Sequence, residues 1–409
     1  MIERIHIKNF KSIYDLDINV GRINLFIGEN GSGKSNLLEA LVFVSAYQSN
    51  KLDNEFLVSR GLRVPSAKLM VSAFDKKDKN NNIQVIIDGK DYYEFAISGD
   101  NYSKWIHVQE EKVYNDLINN QNFIDYQSKF INSIKEEVLK NLKDDNLLKN
   151  SSTKELNYNL EYLISKKLNE SNIIKEKLLT DSRKKMYKDT FENFIIYSPE
   201  NTALRTFSKE GQIEPLGING EGLLKLLKVV NNYEDKTYIQ TIIESLQLFD
   251  WFEDIKIPDS LSIGEDKLVI KDKYLYKEID QRSTNEGFLF ILFYITLIVA
   301  KETPQAFAID NIDASLNPKL CTKLMTIICD LAKKYDKQIF LTTHNPAILD
   351  GIDLNDKEQK LFVVSRNKSG HTRMKNITAK DKPKSSNDEP LKLSEAFLRG
   401  YLGGLPKGF

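Results

Sequence analysis

Residues 23–35 read INLFIGENGSGKS, in which Gly28, Gly33, Lys34 and Ser35 have the G-x-x-x-x-G-K-S spacing of a phosphate-binding loop. An apolar, strand-like run precedes the loop, and residues 36–47 follow it with leucines at helical spacing. Strand, glycine loop and helix form the context in which this spacing is specific. The stretch therefore predicts an α/β fold with a nucleotide phosphate site.

The chemistry of the loop assigns roles to its side chains. The glycines let backbone N–H groups point at phosphate oxygens, and the following helix adds the positive end of its dipole. Lys34 is expected to reach the β- and γ-phosphates, and the Ser35 hydroxyl is expected to bind Mg²⁺. The residues assigned to the phosphates are Asn30, Gly31, Ser32, Gly33, Lys34, Ser35 and Asn36.

Composition limits the class of protein. With 409 residues, 41% hydrophobic and 28% charged, the chain is typical of globular proteins of two or three domains. The net charge is zero, so DNA binding would need a local basic patch. The apolar run 287–300 is too short to span a bilayer and predicts a buried helix. Cys321 and Cys329 are expected to be small buried hydrophobes, and the chain is expected to be cytoplasmic, without membrane contact.

Changes of composition predict the domain boundaries. Residues 1–104 are predicted to be a β-rich first part of the nucleotide-binding head, with strands at 69–74, 83–87 and 92–97. A segment rich in Lys, Glu, Asn and Leu predicts a helical insertion over 105–191, with a basic cluster at 175–188. The second part of the head is expected over 192–380, with a hairpin at 260–271. Residues 381–409 are expected to be a tail, either docked on the core or free to bind a partner.

An acidic residue and a switch residue are expected opposite the loop. The apolar run 306–309 ends in Asp310, which is the predicted Mg²⁺ partner. A later apolar run, 339–343, ends in His344. At the carboxyl edge of a parallel strand, His344 would sense the γ-phosphate.

Together these elements resemble the head of ABC-type ATPases of the RecF, SMC and OLD group. Residues 7–12 are similar to the opening strand of that group, and 28–36 to its Walker A loop. Residues 306–310 are similar to its Walker B strand, and 342–346 to its switch-histidine motif. The stretch Ser315-Leu316-Asn317-Pro318 is similar to the one that follows Walker B in OLD-like members.

The resemblance implies ATP and Mg²⁺ as cofactors and a homodimer, or a higher even-numbered oligomer, formed through an ATP sandwich. It implies that Lys11 lies close to the phosphates. It also implies that a signature motif at 283–287 contacts the partner's nucleotide through Asn285 and Gly287, although Asn285 stands where a serine is usual.

A second departure concerns catalysis. The residue after the Walker B aspartate is usually glutamate, and here it is Asn311. An amide can hold a water but cannot accept its proton, and loss of a general base costs about 10²–10⁴ in rate. We therefore expect slow hydrolysis, with Asn311 and His344 at the reacting phosphate and Asp313 as a less favoured substitute base.

The resemblance leaves four functions to be weighed. The favoured one is a sensor or regulatory ATPase of bacterial anti-phage defence that works with a separate effector, a nuclease or a toxin. We expect no nuclease domain in the about 65 residues after His344. The alternatives are a non-hydrolysing ATP-dependent scaffold that sequesters a toxic partner, and a RecF-like DNA repair clamp. A transporter ATPase is the weakest alternative.

Overall fold

The computed structural model describes residues 1–49, 51–63, 69–74, 82–88, 91–98, 104–107, 193–206, 214–258, 267–384 and 391–405. The chain divides into two compact units, one formed by Met1–Trp105 with Thr190–Phe409 and one by Ile106–Asp189. Residues 105–107 belong to a strand, and the rest of the predicted helical insertion, with its basic cluster, lies outside the described residues. The proposed domain boundaries stay a prediction.

A six-stranded sheet forms the centre of the larger unit, in the order β14-β13-β3-β12-β11-β7. Its strands β13, β3, β12, β11 and β7 run parallel, and β14 pairs antiparallel with β13 at the edge. Every residue of β3, β11 and β12 is buried, as expected of parallel strands covered on both faces. The strands are β3 (Ile23–Gly28), β7 (Ile196–Tyr197), β11 (Ala306–Ile309), β12 (Gln338–Thr343), β13 (Gln359–Arg366) and β14 (Thr372–Ile377).

The predicted β-rich N-terminal part is confirmed as a five-stranded sheet in the order β2-β1-β4-β5-β6. Its strands are β1 (Arg4–Phe10), β2 (Ile13–Asn19), β4 (Ile83–Ile87), β5 (Asp91–Ser98) and β6 (Lys104–His107). The predicted hairpin between β4 and β5 is present, with Ile87 opposite Asp91. The strand predicted at 69–74 is wrong. Only Val71 forms a bridge, to Phe10, and Leu69 is 66% exposed, because no neighbouring strand offers that segment a continuous ladder.

The two most buried helices flank the central sheet. The helix after the loop, α1, and the apolar helix α6 are buried on almost every side, which explains why neither shows a polar face in its sequence. The described helices are α1 (Lys34–Gln48), α2 (Asn54–Ser59), α3 (Asn201–Leu204), α4 (Leu223–Asn231), α5 (Thr237–Leu246), α6 (Glu286–Val299), α7 (Pro318–Lys334) and α8 (Leu393–Leu398). Among the described residues, no helix combines the length and the apolar character that crossing a membrane requires.

A small antiparallel sheet precedes α6. It has the order β10-β9-β8, with β8 (Phe252–Lys256), β9 (Val269–Asp272) and β10 (Ile279–Asp280). The hairpin predicted at 260–271 is displaced, since β9 pairs with β8 in a register that places Phe252 opposite Asp272. The first arm therefore lies upstream of the predicted stretch, and residues 259–266 are outside the described part.

The described part of the tail docks on the larger unit. Leu393, Phe397 and Leu402 are buried in the main hydrophobic core, and the Ser394 hydroxyl donates to Asp350 at 2.6 Å. Of the two expectations for the tail, docking on the core is confirmed for residues 391–405. Cys321 and Cys329 are free and buried, as predicted.

Candidate functional site

The glycine loop leaves the carboxyl end of β3, between β12 and β13, and leads directly into α1. Two of its glycines are required by close contacts. A Cβ on Gly28 would lie 2.1 Å from the carbonyl oxygen of Val364. Gly33 has φ +105°, and a Cβ there would lie 2.1 Å from Thr372 Oγ1. Only glycine fits both positions, so the backbone can turn its N–H groups toward the cavity.

Lys34 lies inside the loop and is only 6% exposed. Its ammonium donates to the carbonyl oxygens of Gly28 and Glu29, at 2.8 and 3.0 Å. Burial lowers its pKa to about 8, and the negative charges of Asp310, Asp313 and Glu29 oppose this shift. Within the described residues, the Lys34 ammonium is paired only with neutral carbonyl oxygens among its hydrogen-bond acceptors. A phosphate group in the cavity would give it an anionic acceptor, which forms a stronger hydrogen bond.

The predicted metal ligands lie in contact. The Ser35 hydroxyl is 3.1 Å from Asp310 Oδ2, and Asp310 also accepts a hydrogen bond from the Thr342 hydroxyl. Strand β11 places Asp310 at this edge, where its backbone N–H donates to Tyr197 at 2.8 Å. A hydroxyl beside a carboxylate suits Mg²⁺, which takes few protein ligands and completes its shell with phosphates and water. No group of three or more His, Cys, Asp or Glu that could hold a metal alone occurs in the described part of the chain.

Two residues after Asp310 make different contacts, Asn311 at the cavity and Asp313 at the end of β12. Asn311 lines the cavity with φ +58°, and its N–H donates to Thr342 Oγ1 at 2.9 Å. Asp313 instead accepts from the Thr343 hydroxyl at 2.6 Å and from the His344 N–H at 3.2 Å. Its carboxylate thus anchors the end of β12 and is not part of the described cavity lining.

His344 lines the same cavity as the loop. Burial lowers the pKa of its imidazole, and the nearby Lys34 lowers it further, while Asp313, Asp310 and a backbone hydrogen bond with Gly28 counteract them. These influences together favour the neutral imidazole, whose single N–H can donate either to the Gly28 backbone or to a phosphate oxygen.

Two adjoining cavities accompany these residues. The first has a volume of about 340 Å³. It is lined by Asn30, Gly31, Gly33, Lys34, Ser35, Asn36, Arg63, Asp310, Asn311, His344 and Arg366. The second has a volume of about 660 Å³ and a partly apolar wall. It is lined by Lys11, Ser12, Asn36, Arg63, Leu69, Val71, Ala73, Phe74 and Arg366.

Most of the predicted phosphate residues therefore surround one space, with Lys11 in the adjoining one. Ser32 is buried, and its carbonyl oxygen accepts from Thr372 at 2.9 Å. Sequence reasoning missed two residues of the smaller cavity, Arg63 and Arg366. Arg366, the last residue of β13, donates to the Gly31 carbonyl oxygen at 2.7 Å. The two residues are 335 positions apart in the chain, so the local sequence gives no signal for this contact.

The predicted signature residues lie elsewhere on the chain. Asn285 caps α6, and its side-chain oxygen accepts from the Phe288 N–H at 2.8 Å. Glu286 accepts from the Ser315 hydroxyl at 2.7 Å. Asn285 lines a separate cavity of about 350 Å³ with Trp251, Lys319 and Lys323, so one chain does not bring the signature segment to its own loop.

Comparisons with known proteins agree with this geometry. A family model described as "AAA domain, putative AbiEii toxin, Type IV TA system" matches residues 23–350. An uncharacterised protein of Methanocaldococcus jannaschii is 36% identical over 109 residues, which are 25% of this chain and 49% of that protein. The DNA replication and repair protein RecF of Halalkalibacterium halodurans is 32% identical over 92 residues, 22% of this chain and 24% of RecF. The chain thus spans about half or less of the length of these curated relatives.

Among solved structures, an SMC head bound to the C-terminal winged-helix domain of ScpA covers 93% of this chain. The likeness covers 98% of that head, with a TM-score of 0.50 and 14% sequence identity. At this identity the likeness shows the fold alone.

Proposed function

Because the chain belongs to the family described as AAA domain, putative AbiEii toxin, Type IV TA system, within the RecF and SMC group of ABC-type ATPases, we propose that it binds ATP with Mg²⁺ and hydrolyses it slowly. In this proposal the ATP-bound state of the chain controls the activity of a second protein. The chain acts as a sensor or regulatory subunit for a separate effector, a nuclease or a toxin, in bacterial anti-phage defence.

One observation carries the nucleotide part of the proposal. Lys34, Ser35 and Asp310 meet at the carboxyl edge of the parallel sheet, beside a cavity large enough for a triphosphate. The adjoining cavity, with Val71 and Phe74 in its wall, offers apolar surface for a base. Bound Mg²⁺ would neutralise the phosphate oxygens, Ser35 and Asp310 would hold it, and His344 would donate to the γ-phosphate.

Slow turnover follows from Asn311. Its amide can orient a water toward the γ-phosphate, but it cannot remove the proton. Asp313, the other candidate base, is bonded to Thr343 and His344. These contacts favour a role in positioning His344 over proton abstraction.

The test is a titration of the purified chain with MgATP, together with measurement of phosphate release. We expect saturable binding and a turnover well below the 1–100 s⁻¹ typical of kinases. Lys34→Met is expected to weaken MgATP binding by about two orders of magnitude, since it removes a charge-assisted contact from a buried site. Binding that is unchanged in Lys34→Met would contradict the nucleotide site.

The regulatory part rests on the family's description, which is compatible with a toxin–antitoxin or defence system. Its test is co-expression with the products of the neighbouring genes, followed by affinity capture in MgATP or in MgADP. Nucleotide-dependent capture of a nuclease or toxin is the expected result. Capture that is the same in MgATP, in MgADP and without nucleotide would contradict a switch.

A second candidate function, a DNA repair clamp, is favoured by the local identity to RecF. Salt-dependent binding of duplex DNA that requires ATP would support it over the regulatory role.

The scaffold alternative differs from the regulatory ATPase in the expected rate of ATP hydrolysis, since a scaffold would bind ATP without hydrolysing it. Robust hydrolysis that Asn311→Ala leaves intact would exclude a scaffold that only holds ATP.

A further inference from the structure

Glu39 is a carboxylate with two cationic partners, one turn of α1 beyond Ser35. It is 1% exposed. One oxygen, Oε1, accepts from Arg63 Nε at 2.7 Å, and the other forms an ion pair with the Lys11 ammonium. None of the roles assigned so far to the nucleotide site involves Glu39.

Both partners of Glu39 face the cavities. Arg63 lines both cavities, and Lys11 lines the larger one. The Arg63 side chain is 70% exposed, so its bond to Glu39 fixes a guanidinium that otherwise faces solvent. The Lys11 side chain is 14% exposed, and its backbone N–H donates to the Met70 carbonyl at 2.8 Å. Burial lowers the pKa of Lys11, and the charge of Glu39 opposes that shift.

The charges of this group are unequal. One carboxylate faces two cations, so the three side chains carry a net charge of +1. A phosphate group that enters the site can therefore pair with one cation while the other still neutralises Glu39. A buried carboxylate left without any partner would be strongly unfavourable, and the second cation avoids that state.

We propose that Glu39 is a positioning residue that holds Lys11 and Arg63 beside the cavities, where one of them pairs with the phosphates of the bound nucleotide. This inference rests on the proposed function, because it assigns the cations to the same ligand. It adds a residue that touches no substrate atom and acts through its two partners.

The sign of the Glu39→Gln effect tests the proposal. By Coulomb's law alone, removing a negative charge near a phosphate site strengthens binding. A glutamine keeps one oxygen acceptor for one cation and turns its NH₂ group toward the other, and the cation that faces NH₂ would leave its place. We expect MgATP affinity, measured by isothermal titration calorimetry, to fall by roughly tenfold, as for one charge-assisted contact.

A matched control is Glu358→Gln. Glu358 also pairs with an arginine, since it accepts from Arg22 Nε at 2.8 Å, but Arg22 lies at the start of β3, at the end opposite the loop. Its variant should leave MgATP affinity unchanged. Glu39→Asp keeps the charge and is expected to retain part of the affinity.

Two further variants keep the proposal falsifiable if Glu39→Gln does not fold. Lys11→Met and Arg63→Met each leave Glu39 with one cation, so both should fold and at least one should weaken MgATP binding several-fold. In the Arg63→Met background, Glu39→Gln should have a smaller effect than in the natural chain.

The possible failures are distinguishable. If the natural chain does not bind MgATP, the proposed function fails. If it binds and Glu39→Gln binds as well or more tightly, or if neither cation variant weakens binding, the positioning role of Glu39 is overturned and the nucleotide site stands.

Discussion

At the residue scale, the protonation of Lys34 would couple phosphate binding at the proposed site to pH. Its pKa is about 8 in this structure, and an adjacent phosphate would raise it. Above pH 8, binding must therefore take up a proton, and affinity should fall by up to tenfold per pH unit. We expect this decline between pH 8 and 9.5, with proton uptake visible as a buffer-dependent heat in calorimetry.

Lys34→Arg is the control for that titration, since arginine stays charged throughout this range. Whatever its absolute affinity, its binding should not decline between pH 8 and 9.5. A natural chain whose affinity stays level across the same interval would show that Lys34 remains protonated in the empty site.

Asn311 combines a left-handed backbone conformation with the position proposed to orient the attacking water. Its φ of +58° is favourable for asparagine, and most other side chains there would lower the free energy of unfolding by about 1–2 kcal/mol. Asn311→Glu should nevertheless raise kcat by roughly tenfold or more, because a general base is worth about 10²–10⁴. Asn311→Gln has the same strain and no base. Phosphate release in Asn311→Glu that does not exceed that of Asn311→Gln would contradict the role of this position.

At the scale of elements, the segment that precedes α6 is held by one side chain. The Arg205 guanidinium, just after α3, donates to the side chain of Asn201 at 2.8 Å. It also donates to the carbonyl oxygens of Gln281, Arg282 and Thr284, at 2.6, 2.7 and 2.9 Å. The strand before α3, β7, pairs with β11 and so adjoins Asp310. Arg205 therefore connects the edge of the nucleotide site to the signature segment.

Arg205→Met should release this segment. We expect faster amide hydrogen exchange at residues 281–287 and a free energy of unfolding lower by about 1–3 kcal/mol, since carbonyl groups lose a charged partner. MgATP affinity should be unchanged, because Arg205 is not part of either cavity lining. The exposed neighbour provides the comparison, as Arg282→Met should keep the natural exchange pattern. Equal protection of the amides of residues 281–287 in both variants would contradict this role of Arg205.

The elements that sequence predicted well are those whose burial is complete. The run 287–300 became α6, and the run 23–27 became β3, because length and apolar character alone decide how such segments pack. The segment 69–74 has a strand-like pattern, but its outcome depended on the partner available, and Phe10 offers one bridge. In the same way the loop and Asp310 are visible in the local sequence, whereas Arg63 and Arg366 reach the cavity only through folding.

At the scale of the whole molecule, the nucleotide cavities and the signature segment do not share residues in the described part of the chain. An ATP-dependent dimer would bring the α6 N-terminus of one copy to the nucleotide of another, where the helix dipole favours a phosphate. The family resemblance implies such a dimer. A dimer of this kind requires the signature segment and the phosphate-binding loop to lie apart within one chain, as they do here.

The dimer can be tested without disturbing the fold of the protomer. Asn285→Asp keeps a capping residue of equal quality at the start of α6, so stability should change little. It places a negative charge where the partner's γ-phosphate would lie, and repulsion should weaken the MgATP-dependent dimer by roughly tenfold or more. Analytical ultracentrifugation in an Asn311→Ala background, which is expected to hydrolyse ATP more slowly still, would measure this. The nucleotide affinity of the monomer should stay the same, because Asn285 lines neither of the two cavities beside the loop. Gln240→Glu, the same exchange on the exposed face of α5, should dimerise like the natural chain. Asn285→Asp that dimerises equally well would mean that the signature segment does not meet the nucleotide of a second copy.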